Sequence, residues 1–250
     1  MKESHLFEKA EPGHFYAVGV GPGAADLMTV RAVRLIQTAD VVVAPRSARA
    51  ENSLALAAVR ALLRPAQEVL DHQYAMKRNE ADTLANWARV AAVAVERCRR
   101  GQSVVQITVG DPLIYSTAAY LLPPIRAALA PDHVHVVPGL SAFQAAAALF
   151  AEPLTTQEDR LTLMPATDID AVARALDHCE TLVLYKCAKV LAPLAALLEQ
   201  RGLADAVRLV CYAGHSERQT VYTDLRTALK STHGYMATAI IHVGRRKWTP

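Results

Sequence analysis

The sequence has 250 residues, enough for one large domain or for two domains of about 100–150 residues each. Its composition, 52% hydrophobic and 20% charged, is that of a globular protein and excludes a disordered chain. The net charge of +3 is too small, and the basic residues too dispersed, to predict nucleic-acid binding, although the charge suits an acidic small-molecule substrate.

The amino-terminal segment Met1–His14 is polar and contains no apolar stretch of the kind found in secretory signals. The longest apolar runs are too short to span a membrane. The four cysteines show no Cys-x-x-Cys spacing, which predicts buried thiols in a reducing compartment. We therefore expect a soluble, cytoplasmic protein that does not bind membranes. The cysteines are Cys98, Cys179, Cys187 and Cys211.

The first elements along the chain are a strand, a glycine turn and a helix. Phe15–Val20 is a short apolar run that ends at Gly21-Pro22-Gly23, and Thr29 is placed to cap the helix that follows. A second apolar run, Val41–Ala44, is expected to stop at Pro45. Short apolar runs bounded by turn residues are typical of strands buried on both faces.

Strands and helices continue to alternate as far as Pro138. This β-α-β-α order predicts a mostly parallel sheet with helices on both faces. The elements are a weak strand at 68–71, a helix from Asp82 or Thr83 that closes at Gly101, a strand at 103–109, a helix interrupted by Pro123-Pro124, and a strand at 133–137.

The second half of the sequence has strands that lie closer together, which predicts a mixed sheet with an antiparallel portion. We place the domain change near Pro138, giving domains 1–137 and 138–250. The predicted strands are 161–164, 181–185, 207–212, 220–222 and 238–243, and the predicted helices are 143–150, 169–175, 190–200 and 225–230.

The glycine turn Gly19-Val-Gly21-Pro-Gly23 lies where a dinucleotide site would begin. Its spacing is G-x-G-x-G instead of G-x-G-x-x-G, Pro22 lacks an amide, and no acidic residue ends the second strand. A tight strand-to-helix turn without a ligand is an equally open interpretation.

Two later loops are further candidates for a binding site. Gly110-Asp-Pro-Leu-Ile-Tyr-Ser-Thr117 follows a strand, and the carboxyl ends of parallel strands are where open α/β sheets bind ligands. Asp111 can accept a hydrogen bond from a ligand, whereas Ser116 and Thr117 can equally cap the next helix. Pro138–Ala142 opens a helix whose first amides are free donors, and Ser141 can equally be a simple cap.

No pattern predicts a metal site or an activated nucleophile. The nine histidines do not cluster in the sequence, and although His133 and His135 share one strand face, no third ligand is near them. There is no G-x-S-x-G elbow. We expect no bound metal.

Taken together, these segments resemble the tetrapyrrole methylase family of S-adenosylmethionine-dependent enzymes, from Tyr16 to Val243. The resemblance rests on an ordered set of signatures and not on any single one. They are Val18–Gly23 with Asp26–Thr29 and Ala32–Arg34, then Gly110-Asp-Pro112, then Val136–Gly139 with Ser141, Ala142, Pro153 and Leu154.

Finer matches are similar to the family members that methylate precorrin-2, or its cobalt complex, at C-20. Besides Gly110–Thr117, they are Met76-Lys-Arg78, Glu158 with Leu161–Thr167, and Tyr185-Lys186. The chain departs from the usual pattern at Ala24-Ala25, where the family has Asp-Pro, and at Tyr185, where this subgroup often has methionine.

The resemblance implies the two-domain α/β fold of the tetrapyrrole methylases (class III methyltransferases), with a mostly parallel amino-terminal sheet, a mixed carboxy-terminal sheet and a cleft between the domains. It implies S-adenosyl-L-methionine as the methyl donor, with S-adenosyl-L-homocysteine as product, a tetrapyrrole as substrate, and a homodimer. The cofactor-binding residues it implies are Pro22, Val109, Gly110, Asp111, Ile114, Ser141, Ala142, Tyr185, Lys186, Ala213 and Ala239.

For the substrate, we expect Tyr115 to orient the tetrapyrrole, and Arg46, Lys77 and Arg78 to pair with its carboxylates, although each of these cations can equally be a solvated surface charge. Two alternatives stay open. One is another tetrapyrrole methylase with a different target carbon, and the other is a nucleotide-binding protein without methylase activity.

Overall fold

The computed structural model describes residues 9–47, 53–74, 80–231 and 236–244. The chain folds into two compact units, Met1–Ser141 and Ala142–Pro250, which are described separately below. Among the described residues, none of the helices is long and apolar enough to cross a membrane.

The amino-terminal unit is a five-stranded sheet in the order β3-β2-β4-β1-β5, with every neighbouring pair parallel. This confirms the predicted parallel sheet. In chain order, its elements are β1 (Phe15–Gly19), α1 (Val30–Thr38), β2 (Val41–Ser47), α2 (Leu54–Val59), β3 (Glu68–Tyr74), α3 (Glu80–Arg99), β4 (Val104–Thr108), α4 (Ala118–Ala128) and β5 (Val134–Val137).

Helices cover both faces of this sheet, as predicted, because successive residues of each buried strand point to opposite sides. In β1, Phe15 and Ala17 pack in the cluster formed with α3 and α4. Tyr16 and Val18 pack in the opposite cluster with α1 and α2. The central strands are therefore mostly apolar, with Gln106 and Thr108 of β4 as buried polar exceptions, which explains the short hydrophobic runs in the sequence.

Helix ends follow the local chemistry of the sequence. The Thr29 hydroxyl accepts a hydrogen bond from the Ala32 amide (3.1 Å) and caps α1, as predicted. Gly101 ends α3 with a φ of 79°, a left-handed conformation that glycine adopts without strain. The helix begins at Glu80, earlier than the predicted Asp82 or Thr83.

Two predictions about prolines were wrong. β2 does not stop at Pro45 but continues to Ser47. Because β4 pairs with β2 only as far as Val43, β2 has a single neighbour, β3, at Pro45, and a residue without an N–H is tolerated there. The prolines at 123 and 124 lie inside an uninterrupted α4. Burial of Leu121 and Ile125 in the core holds this helix together despite the missing amides.

The carboxy-terminal unit is a mixed sheet in the order β6-β7-β10-β8-β9, in which only β6 and β7 pair in parallel, as expected of a mixed sheet. Its elements are α5 (Ala142–Phe150), β6 (Leu161–Pro165), α6 (Ile169–Leu176), β7 (Thr181–Tyr185), α7 (Leu191–Gln200), β8 (Val207–Cys211), β9 (Thr220–Tyr222), α8 (Leu225–Ala228) and β10 (Ala237–His242).

This second sheet also has a core on each face. Leu182 and Leu184 of β7 pack with α6, α7 and α8, whereas Val183 packs in the smaller cluster with α5. Glu152 follows α5 and accepts a hydrogen bond from Arg208 (2.9 Å), and its other carboxylate oxygen lies 3.1 Å from Nε2 of His242, so this segment contacts β8 and β10. The four cysteines are buried, free thiols, as predicted.

Candidate functional site

Three glycines bring the ends of β1, β4 and β5 into backbone contact. A Cβ atom placed on Gly19 would lie 2.5 Å from the carbonyl oxygen of Gly110 and 2.7 Å from the amide nitrogen of Gly139. Real Cβ atoms are essentially never found this close to other heavy atoms, so the three segments approach each other this closely only because each has glycine here. The three sequence signatures of the amino-terminal unit therefore meet at one edge of its sheet, the carboxyl edge.

The glycine turn after β1 is hydrogen-bonded to the loop after β4. The Val20 amide donates to the Thr108 carbonyl (2.9 Å), and the Gly110 amide donates to the Gly21 carbonyl (2.7 Å). Gly110 has a φ of 76°, which favours glycine at this position. Pro22 is buried beside this bridge, so its ring contributes to the wall of the turn and not to its exposed surface.

Asp111 joins two of these loops through its carboxylate. One oxygen accepts from the Leu113 amide (2.8 Å) and the other accepts from the Gly139 amide (3.1 Å). A carboxylate oxygen accepts more than one hydrogen bond, so the side chain retains capacity for a ligand donor. Asp111 thus holds the Gly110 and Gly139 loops in register, a role that the sequence alone did not indicate.

The rest of the Gly110–Thr117 loop exposes apolar side chains beside this polar backbone. Leu113, Ile114 and Tyr115 are 63%, 36% and 51% exposed. Tyr115 has a φ of 47°, a left-handed conformation that is uncommon outside glycine. Ser116 is buried, accepts from the Ala118 amide (3.0 Å) and shares a hydrogen bond with Thr108 (2.9 Å), so Ser116 and not Thr117 performs the capping role.

Most of the predicted cofactor residues of this unit lie along the same edge. Pro22, Val109, Gly110, Asp111 and Ile114 belong to the two loops already described, and Ser141 is buried shortly after Gly139. Ala142 is the first residue of α5 and opens the second unit.

In the carboxy-terminal unit, the predicted residues lie at one end of β7, β8 and β10. Tyr185 pairs with Thr238, and Cys211, two residues before Ala213, pairs with Ala237. Lys186 follows Tyr185 with a left-handed φ of 59°. Ala239 pairs with Leu184 inside the sheet and is fully buried, so its side chain presents no surface to a ligand.

The sequence reasoning missed two residues at this end of the sheet. Tyr212, directly after β8, has a φ of 53°, and the guanidinium carbon of Arg218 lies 3.9 Å from the centroid of its ring. This is a close cation–π contact. A Tyr-x5-Arg spacing across a loop carries no recognisable sequence signal, because the contact depends on the turn between the two residues.

The predicted substrate-binding cations are only partly described. Arg46 lies in β2, and its Nε donates to the Asp71 carboxylate on β3 (2.9 Å). Lys77 and Arg78, like Met76, lie outside the described residues. Arg46 is therefore held by a neighbouring acid on its own sheet.

A histidine stack lies at the opposite edge of the amino-terminal sheet, where β1 and β5 begin. Histidines that are separated in the sequence are brought together here, because β1 and β5 are neighbours and place His14 beside His133 and His135. His14 Nδ1 and His135 Nε2 share a hydrogen bond (2.9 Å). Burial, assisted by the charge of His133, lowers the pKa of His14. No group of three metal-binding side chains in ligand geometry was found among the described residues.

Comparison with known proteins identifies the family. The sequence profile of the Tetrapyrrole (Corrin/Porphyrin) Methylases matches residues 14–229. The chain belongs to this family. The match extends over both units, so the family resemblance and the two sheets agree.

Two curated relatives are similar over most of their length. The chain is 36% identical over 202 residues to the cobalt-precorrin-2 C(20)-methyltransferase of Salmonella typhimurium strain LT2, covering 80% of this chain and 84% of the relative. It is 29% identical over 229 residues to the precorrin-2 C(20)-methyltransferase of a Sinorhizobium species, covering 87% and 88%.

Solved structures show the same fold at low sequence identity. A cobalt precorrin-4 methyltransferase is 22% identical with a TM-score of 0.70, covering 92% of this chain and 94% of that one. A uroporphyrin-III C-methyltransferase from Thermus thermophilus, complexed with S-adenosyl homocysteine, is 21% identical with a TM-score of 0.62, covering 92% and 98%.

Proposed function

We propose that this methyltransferase transfers a methyl group from S-adenosylmethionine to C-20 of precorrin-2, or of its cobalt complex, in cobalamin biosynthesis. The observation that carries the proposal is the 36% identity to a cobalt-precorrin-2 C(20)-methyltransferase over 80% of the chain. The 29% identity to a precorrin-2 C(20)-methyltransferase supports the same carbon. A different target carbon is the second candidate, because the fold is shared with a cobalt precorrin-4 methyltransferase and a uroporphyrin-III C-methyltransferase.

The carboxyl edge of the amino-terminal unit has the chemistry that S-adenosylmethionine requires. The cofactor combines a flat aromatic base that has polar edges with a charged amino-acid part, and this edge offers backbone polar groups, the Asp111 carboxylate and exposed Ile114 within a few residues. We assign the residues of these loops and of the carboxyl ends of β7 and β8 to cofactor binding. They are Pro22, Val109, Gly110, Asp111, Ile114, Ser141, Ala142, Tyr185, Lys186 and Ala213. Ala239 contributes through its backbone alone, because its side chain is buried.

S-adenosylmethionine supplies a methyl group on a sulfonium, so the protein's tasks are positioning and electrostatics. When bound, this group would be donated to C-20 of the tetrapyrrole and the cofactor would leave as S-adenosylhomocysteine, and the proton displaced from C-20 would pass to a general base. The close backbone contact around Gly19 fixes the loops that hold the donor. Tyr115, exposed on the same loop as Asp111, orients the tetrapyrrole.

We further propose that the protein is a cytoplasmic homodimer whose chains each consist of domains 1–137 and 138–250. Lys77 and Arg78 then pair with substrate carboxylates, and Arg46 does so only if it exchanges its Asp71 contact for the substrate. Analytical ultracentrifugation tests the dimer, and a single sedimenting species with the mass of one chain would contradict it.

The decisive experiment locates the transferred methyl group. Purified protein is incubated with 13C-methyl-labelled S-adenosylmethionine and either precorrin-2 or cobalt-precorrin-2, and the product is analysed by NMR. We expect the label at C-20; a label at any other carbon would select the second candidate. The relative rates with the two substrates identify the natural one.

Equilibrium binding separates methylation from simple nucleotide binding. Calorimetry with S-adenosylhomocysteine, NAD and ATP is expected to show binding of S-adenosylhomocysteine alone in the micromolar range. Equal affinity for the three ligands would support a nucleotide-binding protein without methylase activity.

A further inference from the structure

The loop between β8 and β9 is tightly organised around Tyr212. The His215 amide donates to the Tyr212 carbonyl (2.9 Å), and the Arg218 amide donates to the His215 carbonyl (2.9 Å). The Gly214 amide donates to the side-chain oxygen of Gln219 (2.8 Å). These bonds close two consecutive turns, so Tyr212 and Arg218 are brought together by the backbone and not only by their side chains.

The guanidinium of Arg218 lies against the face of the Tyr212 ring, 3.9 Å from its centroid. Stacking uses the flat face of a guanidinium and leaves its N–H groups, which lie in the plane, free to donate sideways. Two of these donors in parallel match the two oxygens of a carboxylate. The loop therefore presents a pre-oriented carboxylate-binding group.

The guanidinium of Arg218 is paired with no carboxylate within the described part of the chain. Seven other arginines pair with carboxylates, whereas Arg218 is exposed and pairs with none there. The paired ones are Arg46, Arg97, Arg100, Arg160, Arg201, Arg208 and Arg226.

Arg218 also belongs to the loop that follows the site end of β8. Because β7 and β8 both pair antiparallel with β10, their carboxyl ends lie at the same edge of the sheet. Tyr185 and Lys186 follow β7 there, and Ala213 follows Tyr212. A ligand that reaches these proposed cofactor residues therefore comes to the edge from which the Arg218 loop extends.

We propose that Arg218, stacked on Tyr212, binds a carboxylate of the tetrapyrrole and so helps to select a polycarboxylate substrate. The inference rests on the proposed function for the identity of the ligand. It concerns recognition and not the methyl transfer itself, so Arg218 is a specificity-determining residue with no role in proton transfer.

Steady-state kinetics of Arg218→Gln test the proposal. Loss of a bidentate, charge-assisted contact is expected to raise KM for the tetrapyrrole by about tenfold, with kcat and KM for S-adenosylmethionine unchanged. Arg218→Lys keeps the positive charge but not the two parallel N–H donors of the guanidinium, so it should recover only part of the affinity for the tetrapyrrole. Arg174→Gln removes an equally exposed charge from α6 and serves as the matched control.

A binding assay without turnover separates this inference from the proposed function. Uroporphyrin III, a stable octacarboxylate, and its octamethyl ester are titrated into the protein and followed by absorbance. Wild type and Tyr212→Phe should bind the acid more tightly than the ester, and Arg218→Gln and Tyr212→Leu should lose most of this difference. The two Tyr212 variants have equal backbone strain, so their contrast isolates the ring.

Each outcome decides one of the two proposals. If Arg218→Gln binds uroporphyrin as wild type does, or if it weakens S-adenosylhomocysteine binding instead, the inference is overturned. If wild type methylates a carbon other than C-20 but the Arg218 variants still lose affinity for the carboxylate form, the C-20 assignment fails and the inference stands.

Discussion

Gly19→Ala tests the claim that backbone contact among three loops builds the carboxyl edge of the amino-terminal unit. The added Cβ would meet three backbone atoms at 2.5, 2.7 and 2.8 Å, whereas ordinary contact begins at 3.4 Å. The shortest distance is thus about 0.9 Å too small. Backbone atoms of a central sheet cannot rotate away as a flexible side chain does, so the strands must separate.

Overpacking of a well-packed interior costs about 1–3 kcal/mol, and we expect the upper part of that range because all three neighbours are backbone. A loss of about 2–3 kcal/mol corresponds to a fall of about 5–10 °C in Tm for a chain of this size. Since the displaced Gly110 and Gly139 loops belong to the proposed cofactor site, binding of S-adenosylhomocysteine should weaken by at least about tenfold.

Urea unfolding in a Trp248→Phe background, followed by the fluorescence of Trp87, which is buried in the amino-terminal unit, measures the stability of that unit. Gly101→Ala is the matched control, since its added Cβ would lie in open space. The left-handed φ of 79° alone should lower the free energy of unfolding by about 1 kcal/mol. Gly244→Ala has neither constraint and should be neutral. A Gly19→Ala protein as stable as Gly244→Ala, with unaltered ligand affinity, would refute the reasoning.

Three further predictions concern single side chains. Asp111→Ala removes the acceptor of two amides, so it should lower the free energy of unfolding by about 1–3 kcal/mol and weaken S-adenosylhomocysteine binding in calorimetry. Asp111→Asn should have a smaller effect on both, and unchanged values in Asp111→Ala would contradict the bridging role. Because burial lowers the pKa of His14, the unfolded chain binds a proton at His14 more readily than the folded chain as the pH falls below about 6.5, so the free energy of unfolding should decrease in this range. His14→Gln should reduce this decrease, and the same pH profile in the variant as in wild type would contradict the prediction. Burial raises the pKa of Cys187 to about 12, so iodoacetamide at pH 8 should leave this thiol unmodified in the native protein and alkylate it in urea. Peptide mass spectrometry measures the modification, and alkylation of Cys187 in the native protein would contradict its burial.

Much of the fold was predictable because strands buried on both faces leave a strong signal in the sequence. β7 and β9 have the predicted bounds, 181–185 and 220–222, and the parallel and mixed sheets follow from the spacing of their strands. The errors at Pro45 and at Pro123-Pro124 share one cause. Local preferences of proline were overridden by pairing with one neighbour in the first case and by burial of the helix in the second.

The candidate site was predictable only as far as it consists of short local motifs. Gly19, Gly110 and Gly139 are recognisable one by one, but their mutual contact depends on β1 lying between β4 and β5. The same pairing of β1 with β5 creates the contact between His14 and His135, which are far apart in the sequence. Long-range juxtapositions of this kind require the strand order, which the sequence pattern does not specify.

Backbone strain occurs in loops of both units, each considered by itself. Tyr115, Lys186 and Tyr212 are non-glycine residues with φ between 47° and 59°, and each lies in a loop after the carboxyl end of a strand. A left-handed conformation costs such residues about 1 kcal/mol or more, and glycine would remove that cost. At Tyr212 the side chain has a function that glycine could not supply, since its ring supports Arg218. The same conformation occurs at Ala151 and Gln157, which are not residues of the proposed site, so a left-handed φ alone does not assign Tyr115 or Lys186 to a ligand.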